Sequence, residues 1–102
     1  MSIAELSKFQ LESLQDCANS LISTYMLIRP NAGDTNKNQR TWIRNNRETD
    51  ELISMGLLTD ASKEFAAQID ATFRESGRVF RVLKITDQGR AMFYAPTATH
   101  VN

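Results

Sequence analysis

The stretch from Thr35 to Met55 constrains this chain more than any other, because its two sides ask for different surroundings. At roughly 100° per residue, Lys37, Arg40, Arg44 and Arg47 fall within one quadrant of a helix. Trp42, Thr49 and Ile53 cluster on nearly the opposite side. Gly56 follows, the residue type that most readily takes the left-handed conformation closing a helix. The spacing predicts a helix from about Thr35 or Asn36 to Met55, with one face packed into a core and four cations turned outward. Trp42, opposite the cations, is expected to anchor in that core.

Upstream, Ser7 and Gln10 are spaced as a capping box, and Leu6 can staple to Leu11. Leu11, Leu14, Ala18, Leu21, Ile22 and Tyr25 then recur at helical spacing. They predict a first helix of about five or six turns ending near Arg29, since Pro30 disfavours helical geometry in the residue before it. Cys17 lies beside this stripe and reads as a small core residue. Residues 30–36 are a loop by composition. Val79 to Ile85 is the best strand in the sequence, and Thr86 reads as the cap of a short helix from Asp87 to Tyr94. Between them, Phe65, Ile69 and Phe73 repeat every four residues, yet the same stretch alternates as a strand would; propensity favours helix and leaves strand open. Residues 95–102 read as a loose tail.

With 102 residues, 41% of them hydrophobic and 24% charged, the chain suits one hydrophobic core. No apolar run approaches the roughly 20 residues needed to span a bilayer, and the N-terminus lacks the pattern of a signal peptide. The expected setting is cytoplasmic, or the host cytoplasm for a viral protein. The single cysteine excludes an internal disulfide, and one cysteine with one histidine makes neither a Cys–His dyad nor a zinc site. Four isolated glycines form no phosphate-binding loop. Catalysis, a cofactor and a bound metal are therefore not expected.

The net charge of zero hides a segregated distribution. Residues 35–47 carry four cations and no acid; residues 48–77 carry seven acids against two bases; residues 78–102 carry four bases against Asp87. A block of this kind suits DNA, a solvated face or an acidic protein partner.

Two segments resemble the winged-helix regulators, especially the MarR-like branch. Asp50-Glu51-Leu52-Ile53-Ser54-Met55-Gly56-Leu57-Leu58 is similar to the end of that family's recognition helix. Phe80-Arg81-Val82-Leu83-Lys84-Ile85-Thr86-Asp87-Gln88-Gly89-Arg90 resembles its returning wing strand and the turn into the next helix. The resemblance implies one small α+β domain over residues 1–94, mainly helical and winged-helix-like, with a short β-hairpin or wing strand near the C-terminus. It implies a non-catalytic protein on double-stranded DNA, a transcriptional regulator or DNA-associated accessory factor. Lys37, Arg40, Arg44, Asn45 and Arg47 would contact DNA from the helix, Arg78 and Arg81 from the wing, and the acidic block would face away. A homodimer through the first helix is expected with it. The family's trihelical unit has two helices before the recognition helix, whereas one long helix is legible here. The rival reading is an interaction or structural adaptor on the same scaffold, such as a phage accessory or virion-assembly component, with a protein as its partner.

Overall fold

The computed structural model describes residues 5–20, 23–68 and 78–93. In chain order these form α1 (Lys8–Asn19), β1 (Thr24–Ile28), α2 (Asn36–Ser54), β2 (Leu58–Asp60) and β3 (Val79–Ile85), followed by a helical segment, α3, at residues 87–93. The three strands form one antiparallel sheet in the order β1-β3-β2. The class is thus α+β.

α1 begins where the capping box places it. The Ser7 hydroxyl accepts the Gln10 N–H at 3.1 Å, and Oε1 of Gln10 accepts the Ser7 N–H at 3.0 Å. Its end departs from expectation: the helix stops at Asn19, and Thr24–Ile28 is a strand rather than a continuation toward Arg29. The reason is local and then tertiary. Ser20 is extended, and its hydroxyl accepts the Thr24 N–H at 3.0 Å, drawing the backbone out of the helical ladder. Ser23 takes a left-handed φ of 53°. Beyond it, Tyr25 and Leu27 turn inward and Met26 and Ile28 outward, an alternation that pairing with β3 exploits. The sheet accordingly holds this unanticipated strand besides the two at the C-terminal side.

α2 follows the predicted bounds closely. Thr35 caps it, accepting the Asn38 N–H at 3.3 Å. Its C-terminus closes with Gly56 at φ 79°, where Gly56 N–H reaches the Ile53 carbonyl (2.9 Å) and Leu57 N–H the Leu52 carbonyl (3.0 Å). Leu52 and Leu57, brought together by that turn, are both buried. β3 spans the residues expected of it. The ambiguous stretch begins with a turn at residues 62–65 and a helical turn at 66–68; its remainder, 69–75, and the tail at 95–102 lie outside the described residues.

The core lies between the sheet and the two long helices: Leu14 and Cys17 from α1, Leu27 from β1, Leu52 from α2, Leu57 and Leu58 entering β2, and Leu83 and Ile85 from β3. Thr49 is fully buried and shares a 3.1 Å hydrogen bond with the Tyr25 hydroxyl. No helix among the described residues is long and apolar enough to cross a membrane.

Candidate nucleic-acid interface

The four cations of α2 stand where the helical spacing puts them. Lys37, Arg40, Arg44 and Arg47 are all exposed, and none joins an ion pair among the described residues. The opposite face holds Thr49 against the core, with Trp42 half-buried beside it. Asn45 lies off the cationic stripe. It lines a hollow of about 380 Å³ between α2 and the start of α1, with Lys8, Phe9, Glu12, Arg44 and Glu48. There Oδ1 of Asn45 and Oε2 of Glu48 are buried without a hydrogen-bond partner among the described residues. Gln10 ties the same helices together, donating to the Glu48 carbonyl at 3.1 Å and to Oε1 of Glu51 at 2.9 Å.

The β3 cations have different surroundings. Arg81, whose side chain is only 11% exposed, reaches Asp50 on α2 at 2.8 Å and Asp60 on β2 at 3.0 Å. It also donates to Oδ1 of Asn46 at 3.1 Å. Burial pulls its pKa down, but the bonds and charges of Asp50 and Asp60 outweigh that and raise it above the ordinary value. Burial likewise pushes the Asp60 carboxyl up, and here the hydroxyl and N–H of Ser62, with the Arg81 guanidinium, prevail and hold it below the usual aspartate range. Arg78 is exposed and lies 3.9 Å from Asp34; Lys84 lies 3.6 Å from Glu64. The acidic block therefore does not simply face away: Asp50, Asp60 and Glu64 sit against β3 cations. This clamp was missed from sequence, although alternation puts Arg81 on the same side of β3 as Leu83 and Ile85, toward the helices.

A bulge shapes the same end of β3. The register passes from Leu27↔Arg81 to Ile28↔Val79, so Phe80 has no partner on β1. A bulge of this kind re-aims a side chain, and Phe80 meets Trp42 of α2 edge-on, with ring centroids 5.2 Å apart and planes at 85°.

At the C-terminal end of α2, Ile85-Thr86-Asp87-Gln88-Gly89-Arg90 locks α3 to the core. The Thr86 hydroxyl donates to the Gly56 carbonyl at 2.6 Å and accepts the Gly89 N–H at 2.9 Å. Arg90 donates to the Ser23 hydroxyl at 2.6 Å and the Ala18 carbonyl at 3.4 Å, bracing the turn between α1 and β1. The Thr86 contact holds the turn that closes α2 against the start of α3, with the β2–β3 pair beside it. Compared with protein-family models, with curated proteins and with solved structures, the chain matches none.

Proposed function

We propose that this protein is a non-catalytic, winged-helix-like DNA-binding protein whose α2 helix supplies the contact face. The observation that carries this reading is a contrast between cations. Arg81 and Lys84 are engaged by carboxylates and Arg90 by α1 and Ser23, whereas Lys37, Arg40, Arg44 and Arg47 project together from one side of α2 without an ion pair among the described residues. Charge displayed in this way neutralises phosphates and releases their counterions. Arg44 and Arg47 also have the chemistry to read guanine edges. Arg81 contributes by holding α2, β2 and β3 together, and Asn45 lines the hollow between α2 and α1 together with Arg44 and Glu48.

The test is binding of the whole chain to random duplex DNA across a salt series. Affinity should fall steeply between about 50 and 200 mM salt. Arg44→Ala with Arg47→Ala should weaken binding about tenfold or more and flatten the salt slope by about two phosphate contacts, with the circular dichroism spectrum unchanged. Equal affinity in the double variant removes α2 as the contact face.

One observation favours the adaptor reading instead. Ile43 is 64% exposed on α2, next to the cationic stripe, and suits an acidic protein surface with an apolar centre better than it suits phosphate. Absence of DNA binding at the lower salt selects that reading.

A further inference from the structure

We infer that β1 is the seam of a two-fold homodimer, in which two copies of the chain join their sheets edge to edge. β1 is an outer strand of the sheet, and its backbone groups alternate in direction. Ser23 accepts from Ile85 and Arg29 donates to Arg78, so Ser23, Tyr25, Leu27 and Arg29 direct their polar groups toward β3. Those of Thr24, Met26 and Ile28 point to the open edge. Thr24 is already satisfied there: its N–H and carbonyl lie 3.0 and 3.3 Å from the Ser20 hydroxyl. What remains are the N–H and C=O groups of Met26 and Ile28, which have no partner among the described residues. The side chains of the same two residues are exposed, Met26 by 43% and Ile28 by 50%, and Ile28 also borders a hollow with Thr41 and Trp42 of α2.

These features select one partner and one register. In an antiparallel pair centred on Leu27, Met26 lies opposite Ile28 of the second copy, and Ile28 opposite its Met26. Both are hydrogen-bonded pairs, so all the open N–H and C=O groups are used in four bonds. The same register sets Thr24 opposite Pro30. Pro30 has no N–H to offer and Thr24 needs none, so the ladder ends where both strands run out of free groups. Residues 24–28 carry no charge, and the register brings the two Arg29 side chains to opposite ends of the seam. Met26 and Ile28 from both copies then form one apolar patch. A two-fold axis normal to the joined sheet leaves both α2 helices on the same face of it. Of the stripe on which a seam through the first helix is expected, Leu14 faces the core and Tyr25 lies in β1, while Leu21 and Ile22 lie outside the described residues. Five-residue strands bury less than the roughly 1,200 Å² of a standard interface, so the dimer is a concentration-dependent one. This inference stands apart from the DNA reading.

Sedimentation equilibrium of the whole chain from micromolar to millimolar concentration tests it. The expected result is a mass rising from one chain toward two. Ile28→Pro removes two of the four bonds without touching the β3 ladder and should weaken association about tenfold or more. Met26→Lys, at an exposed side chain, should do the same through edge charge, and keeps the test open if the proline variant does not fold. Register is read by mixing a Met26→Cys chain with an Ile28→Cys chain under mild oxidation. The mixed disulfide should form faster than either homodisulfide, since only the mixed pair sits directly opposite. A single-chain mass throughout overturns the proposal. So does a dimer indifferent to both edge variants, or a cross-linking rate that does not distinguish the mixed pair.

Discussion

Gly89 shows how little room single residues have at the join of α3 and the core. A Cβ there would lie 2.3 Å from the Leu57 carbonyl oxygen and 3.0 Å from Cγ1 of Ile85, so backbone would have to move. Gly89→Ala is expected to cost about 2 kcal/mol or more and to lower Tm by about 10 °C. Gly33→Ala, with nothing within 4 Å of its Cβ, is the matched control and should leave Tm nearly unchanged. Differential scanning calorimetry of the two variants decides it, and equal Tm values would mean that Gly89 is not packed as described. Cys17 makes a related point. Burial pushes its thiol up, past the lowering from the Ile85 backbone and the Arg90 charge, and its Sγ lies 2.8 Å from the Ser23 carbonyl. The sequence reading of Cys17 as a small core residue matches where the side chain lies.

Between elements, the Arg81 clamp joins α2, β2 and β3 and carries a pH signature. Asp60 has a depressed pKa in the folded chain. Its contribution to stability is therefore complete above the unfolded aspartate value and disappears as pH falls through the folded one. Asp60→Asn should be less stable at neutral pH, by no more than about 1 kcal/mol because the carboxyl is 41% exposed and solvent screens it. Denaturant titrations on the acid side should show that gap closing; a constant gap would mean that the carboxylate charge is not what Arg81 uses. The strand at Thr24–Ile28, in place of the expected helix, belongs to this scale as well. Period 3.6 and period 2 both send Tyr25 inward, so periodicity could not choose between them there. The open main-chain groups of β3 and the Ser20 hydroxyl did.

Taken whole, the molecule is electrically neutral but not uniform. Carboxylates sit against Arg81 and Lys84, and the α2 stripe keeps its four cations. On the proposed function, Lys84→Ala should leave the salt slope of DNA binding where it is, because Glu64 already balances that charge, while the Arg44 and Arg47 variant flattens it. A slope lowered equally by Lys84→Ala would extend the interface to β3. The sequence by itself determined α2 with its caps and its two faces, the β3 strand, the Ser7 and Thr86 caps and the Gly56 stop. Each depends on neighbours within a turn or two of chain, where spacing and side-chain chemistry suffice. Tertiary structure alone decided that residues 24–28 pair as a strand, that Phe80 is re-aimed onto Trp42, and that Arg81 meets Asp50 and Asp60 across 31 and 21 positions of chain. Those outcomes depend on which main-chain groups and charges the sheet brings together, and no local period encodes that.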